Sequence, residues 1–207
     1  VVTGYLAGVS GSSTKYINTF ATSVTVKGEE NKVTPVGVIA YSAAGEYTAK
    51  GLVTAINTRG FILTDGTGDI LVYKNTQPTE KVGDMVEVKG TTASRNGVVQ
   101  FGDKGLTVTS ISTGSTIPAA MVPQTAEFTA YAAAQRIVYV SFEGTLDIKD
   151  SGYGYNYYNV KMEGVEKDAA FSYADESKID AALNGKKIAV KGYLVGVNKS
   201  GYPQVIV

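Results

Sequence analysis

Residues 61–73 read FILTDGTGDILVY. Two apolar arms flank Asp65-Gly66-Thr67-Gly68-Asp69, a turn whose glycines can take positive φ. The stretch predicts a tight hairpin of strands at 61–64 and 70–74. Arms this apolar fit strands that close around a core.

The same alternation spreads outward in both directions. Upstream, 47–57 (YTAKGLVTAIN) predicts a strand ending in the turn Thr58-Arg59-Gly60. Downstream, 75–82 carries a proline and little periodicity and reads as loop. Gly83-Asp84 then turns the chain into 85–93 (MVEVKGTTA), and Arg95-Asn96-Gly97 predicts a hairpin turn. Residues 98–101 with 106–112 form the return. A proline-flanked linker follows at 117–123. Residues 125–135 (TAEFTAYAAAQ) predict a short helix with Thr125 as N-cap. The strand plan then repeats. Residues 138–148 (VYVSFEGTLDI) match the first strand, with Gly144 paralleling Gly51, and strands at 157–162 and 169–173 follow. Residues 175–184 (DESKIDAALN) predict a helix with an acidic first turn and Gly185 just past its end. Its apolar Ile179, Ala182 and Leu183 are expected to plug a barrel end. Strands at 188–197 and 202–207 complete the second copy.

Five strands thus occur twice, about 100 residues apart. A helix is expected before strand four in the second copy and a loop in the first. This is the plan of the OB-fold, a small, partly open Greek-key barrel. The fold class expected is therefore all-β with one or two short helices: tandem five-stranded OB barrels plus an N-terminal β-hairpin. FILTDGTGDILVY resembles the strand 2–turn–strand 3 hairpin of many OB domains. VGDMVEVKG and ALNGKKIAVKGYL resemble their approach to strand four. Over 47–207 the combined pattern resembles the tandem OB modules of Bacteroidetes-type secreted or surface lipoproteins. That resemblance implies the fold, and a secreted or cell-surface location with a signal or lipid-anchor segment outside these residues.

The hairpin follows from a second repeat. Residues 2–9 (VTGYLAGV) and 190–197 (VKGYLVGV) agree at six of eight positions. The first copy therefore aligns with strand four of the second barrel, and 16–26 (YINTFATSVTV) with strand five. The expected boundaries are 1–32 for a hairpin like the end of a preceding repeat, 33–116 for the first OB unit, 117–136 for linker and helix, and 137–207 for the second OB unit.

Composition narrows the chemistry. There is no cysteine and no histidine, which removes disulfides, thiolate chemistry, the commonest general base and the commonest zinc ligand. Nineteen basic and nineteen acidic residues balance, which disfavours a strong electrostatic grip on nucleic acid or an anionic membrane. No apolar run approaches the roughly 20 residues of a transmembrane helix.

Several motifs compete with plainer readings. Ser12-Ser13-Thr14-Lys15 fits S-x-x-K, but the serine falls in a hairpin turn rather than at a helix start. Asp65 with Asp69 could hold calcium, although the turn alone explains both. Asp147 with Asp150, or Asp175 with Glu176, could be imagined as a glycosidase pair. They read better as strand-end, loop and helix-start residues. No enzyme activity, cofactor or metal is expected.

Two loops per barrel frame the ligand face of ligand-binding OB-folds. In the second unit the strand 1–2 loop and the strand after it carry Tyr153, Tyr155, Tyr157 and Tyr158. Lys199 and Tyr202 lie on the strand 4–5 loop. Tyrosine faces stack on sugars or bases, and neighbouring Asn and Asp side chains read hydroxyls. In the first unit Arg59 and Phe61, with Arg95 and Asn96, fall at the corresponding mouth. These features point to a non-catalytic binding or structural module recognising a glycan or protein partner. One alternative is single-stranded nucleic-acid binding, which neutral charge disfavours. Another is self-assembly, by strand addition through residues 1–27.

Overall fold

The computed structural model describes residues 2–24, 32–116, 124–131 and 136–207. The linker expected at 117–123, the last four residues of the helix expected at 125–135 and the end of the strand expected at 16–26 lie outside the described residues. The chain divides into two compact units, Val1–Lys32 and Val33–Val207.

The smaller unit is an antiparallel hairpin of β1 (Val2–Ser10) and β2 (Tyr16–Val24). Its register shifts between Leu6 and Gly8, where Gly8 takes φ +117°. Only glycine enters that backbone region freely, so the bulge is written into the sequence. Tyr5, Ile17 and Phe20 are 74%, 72% and 72% exposed. Two strands alone bury too little to cover them.

The larger unit holds both barrels. The first is built from β3 (Glu46–Asn57), β4 (Gly60–Thr64), β5 (Asp69–Tyr73), β6 (Met85–Arg95) and β7 (Val98–Phe101). Antiparallel pairing joins β3 to β4, β4 to β5, β6 to β7 and β3 to β6, and the parallel pair β5–β7 closes the ring. This is the OB topology. β3 pairs with β6 up to Leu52 and with β4 from Leu52 onward, so it must curl between partners at that point. Gly51 sits at the curl, where a Cβ would lie 2.3 Å from the Thr64 carbonyl oxygen. After a break, β8 (Thr107–Ser112) continues along the β6 edge that β7 began, which is the interrupted return expected. The short helix α1 (Val36–Ile39) drives Val36 and Ile39 into the barrel core beside Phe61, Leu63 and Phe101.

The second barrel repeats the design. β9 (Gln124–Thr125) and α2 (Phe128–Tyr131) precede β10 (Val138–Asp150), β11 (Asn156–Lys161), β12 (Ala169–Phe171), β13 (Lys187–Val197) and β14 (Pro203–Ile206). The parallel pair is now β12–β14. β10 changes partner from β13 to β11 at Thr145, beside Gly144, whose Cβ would lie 2.5 Å from the Lys161 carbonyl oxygen. Phe128 and Tyr131 fill this core from α2, three residues apart as Val36 and Ile39 are in α1. Thr125 is not the helix N-cap. It lies in β9, paired in parallel with Ser141, and α2 starts three residues later.

The helix expected at 175–184 is corrected to two 3-10 turns, Glu176–Lys178 and Ala181–Leu183. The aspartates explain the break. Asp175 accepts from the Ser177 N–H and Asp180 from the Ala182 N–H, local bonds that compete with helical ones. Ile179 between them is extended and packs on the core, whereas Ala182 and Leu183 are exposed and plug nothing.

The repeat seen in the sequence is also structural. β13 has its own register shift between Leu194 and Val197, and Gly196 there takes φ +104°. Gly8 and Gly196 are the same letter of GYLxGV in the same bulge.

Candidate ligand-binding face

Strand registers place the two barrels residue against residue. On the outward face of strands one to three, the first barrel carries Ala55, Ile62 and Leu71 across one row. The second carries Asp147, Asn159 and Ala170 across the same row.

The first row is sealed. Ala55, Ile62 and Leu71 form one buried cluster with Tyr193, Val195 and Ile206 of the second barrel, flanked by Ile137 and Tyr139. The loops on either side are tied down as well. The Asn57 amide donates to the Ser172 carbonyl at 3.1 Å, and the Thr58 N–H and hydroxyl donate to the Tyr173 carbonyl at 3.0 and 3.1 Å. At the other side the Val197 N–H donates to the Asn96 carbonyl at 2.8 Å. The second barrel therefore occupies the face where a ligand of the first barrel would lie.

That placement revises the first-unit candidates. Phe61 is fully buried in the barrel core, because it alternates with the outward Ile62, so it offers nothing to a ligand. Asn96, at φ +52°, forms the β6–β7 turn and lends its carbonyl to the joint between the barrels. The Arg59 guanidinium donates to the carbonyl and side chain of Asn75, which also accepts from the Tyr73 hydroxyl. Arg95 ends β6 with its side chain exposed.

The second row, polar at Asp147 and Asn159, is half-buried and not covered by the other barrel. Tyr153 is 84% exposed at the tip of the β10–β11 loop. Tyr155 and Tyr157 are about half exposed and meet edge to face, ring centres 5.4 Å apart and hydroxyls at 3.2 Å. That shared hydrogen bond pushes the Tyr157 phenol up. The loop is preorganised: Asp150 accepts from the Gly152 N–H, and Ser151 donates to the Tyr155 carbonyl at 2.6 Å. Tyr158 is corrected to a buried residue, facing inward with Val160 by strand alternation. Lys199 is exposed in the β13–β14 turn, and Tyr202 is half-buried with the Lys167 ammonium 5.5 Å from its ring centre.

Between the two loops lies a charged floor that sequence reasoning missed. Asp147 sits between Lys149 at 3.0 Å and Lys161 at 3.1 Å. The two ammonium groups, Lys149 foremost, hold its carboxyl below the usual range, and Asp147 in turn raises Lys149. An ionised carboxylate suits the base or nucleophile of a glycosidase pair rather than its acid, and here it is engaged by both lysines. Asn159 lies between Tyr157 and Lys161 on the same face of β11, and Gln204 of β14 stands opposite Ala170. Alternation from Tyr157 would have found Asn159 and Lys161; nothing local in the sequence pairs them with Asp147.

The other motifs are engaged structurally. Asp65 accepts from the Thr67 N–H and hydroxyl with one oxygen and from the Val36 N–H with the other, pinning α1 to the β4–β5 turn. Lys15 donates to the Gly11 carbonyl within the exposed β1–β2 turn.

No family model and no curated protein matches the chain. Among solved structures it is similar to the crystal structure of the tetrameric p202 HIN2, at 10% identity and a TM-score of 0.40 over 81% of this chain and 97% of that one. A likeness at that level carries no argument about what this chain does.

Proposed function

We propose that the chain is a non-catalytic binding module of an extracellular or cell-surface protein, in which the second barrel binds a glycan and the first barrel is its platform. One observation carries this reading: the apolar row Ala55, Ile62, Leu71 that the joint seals is replaced in the second barrel by Asp147, Asn159, Ala170, left uncovered beside the Tyr155–Tyr157 pair. Exposed rings suit the apolar faces of sugars, and amide and carboxylate groups suit their hydroxyls. Asp147 offsets one of the two lysine charges beside it, and the chain as a whole carries no net charge, which fits a neutral polymer better than a phosphate backbone. The surface location rests on the tyrosine-, glycine- and threonine-rich composition and on the resemblance to surface lipoprotein modules.

Affinity electrophoresis against soluble β-glucan, xylan, mannan and dextran, beside single-stranded oligonucleotides, tests the reading. At least one polysaccharide should retard the wild-type chain, and the Tyr153→Ala, Tyr155→Ala, Tyr157→Ala triple variant should lose that retardation at a nearly unchanged melting temperature. Retardation by oligonucleotide alone, with a steep salt dependence, would favour nucleic acid instead.

A further inference from the structure

The tyrosine loop is gripped from outside the face it would serve. Glu176, in the first 3-10 turn between β12 and β13, accepts from the Asn156 N–H at 2.7 Å. Its second oxygen lies 3.4 Å from the Asn156 side-chain nitrogen. Asn156 is the residue between Tyr155 and Tyr157, and it opens β11 opposite Asp150. Its backbone position therefore sets where both rings stand.

The segment that carries Glu176 is itself fixed by the first barrel. Three residues upstream, the Tyr173 carbonyl takes the Thr58 N–H and hydroxyl, and the Tyr173 ring lies 6.2 Å from that of Tyr73. Tyr173 holds φ +49°, a conformation uncommon for a residue with a Cβ. Asp175 then folds the turn by accepting from both the Ser177 N–H and hydroxyl, which presents Glu176 to Asn156.

We propose that Glu176 is a positioning residue for the Tyr155–Tyr157 pair, and that the first barrel, through Asn57 and Thr58, sets where Glu176 stands. The proposal rests on the reading that these rings meet the ligand. It gives the first barrel, whose own face is sealed, a part in binding. It also gives the segment between β12 and β13 a role other than plugging the barrel.

Amide hydrogen exchange at Asn156 and the ring NMR signals of Tyr155 and Tyr157, measured on the full chain without ligand, test it. Losing a charge-assisted hydrogen bond should speed exchange at Asn156 about tenfold or more in Glu176→Ala and shift both ring signals. Glu176→Gln keeps an acceptor oxygen and should restore most of both. Asn57→Ala should speed Asn156 exchange in the same direction while Val72, deep in the first barrel, stays protected. Unchanged exchange and ring signals in Glu176→Ala, or no recovery in Glu176→Gln, would overturn the role of Glu176. Unchanged Asn156 exchange in Asn57→Ala would overturn that of the first barrel. With the polysaccharide that retards the wild type, Glu176→Ala should bind about tenfold more weakly. A wild-type chain that no polysaccharide retards would sink the glycan reading while leaving the loop measurements to decide the positioning on their own.

Discussion

Ile62 and Asn159 occupy the same place in their two barrels: each faces outward from strand two, opposite Leu71 and Ala170 of strand three. Ile62 is fully buried under the second barrel, and Asn159 is half-exposed. Exchanging their chemistry should therefore have unequal effects. Ile62→Asn buries an amide among apolar side chains and should cost about 3 kcal/mol in urea unfolding. Asn159→Ile should change stability by about 0.5 kcal/mol or less and weaken polysaccharide binding. Equal costs would mean that the two faces are not sealed and uncovered as described.

The joint itself centres on Tyr193, 1% exposed and packed 5.0 Å from Tyr139. Tyr193→Ala should cost about 3–5 kcal/mol, the range for large aromatic truncations in cores. Tyr193→Phe keeps the packing and removes the phenol oxygen, so about 1 kcal/mol is expected. Because the same side chain closes the first barrel's face, the alanine variant should also broaden the unfolding transition as the barrels part company.

Much of this was legible in particular residues. The alternation around FILTDGTGDILVY, the paired glycines Gly51 and Gly144 and the GYLxGV repeat led to the strand order, because each records a local backbone demand. The exposure of Tyr153, Tyr155 and Tyr157 followed from a Gly-Tyr loop. What stayed hidden was non-local. Nothing near Ile62 announces that Tyr193 and Ile206, far along the chain, cover it. The Lys149–Asp147–Lys161 group spans two strands. The expected helix at 175–184 failed for a local reason, the two aspartate side chains that capture N–H groups two residues ahead.

That failed helix makes a contrast to measure. Ile179 packs on the second core, whereas Leu183 is 40% exposed. Ile179→Ala should cost about 2 kcal/mol, the low end for a partly buried aliphatic side chain, and Leu183→Ala should stay within about 0.5 kcal/mol. The opposite order in chemical denaturation would restore the helical plug.

Alkaline titration probes the two deepest phenols. Burial pushes Tyr131 and Tyr193 up to about 12 from the ordinary 10.0. The Tyr131 hydroxyl donates to the Arg136 carbonyl and accepts from the Gly196 N–H, both at 2.8 Å, so a phenolate there would forfeit its donor bond and face a carbonyl oxygen. Each folded pKa lies above its unfolded value, so the neutral phenols stabilise the fold fully below pH 10, and that contribution is lost as pH rises through about 12. Phenolate absorbance from these two residues should appear only near pH 12, together with loss of the β-sheet circular dichroism signal. Tyr131→Phe and Tyr193→Phe should each remove one tyrosine's absorbance from that late step and flatten the alkaline fall in stability. If either variant leaves the late step intact, the phenol it replaced was open to solvent, and the packing of α2 against Gly196 or of the joint around Tyr193 is wrong.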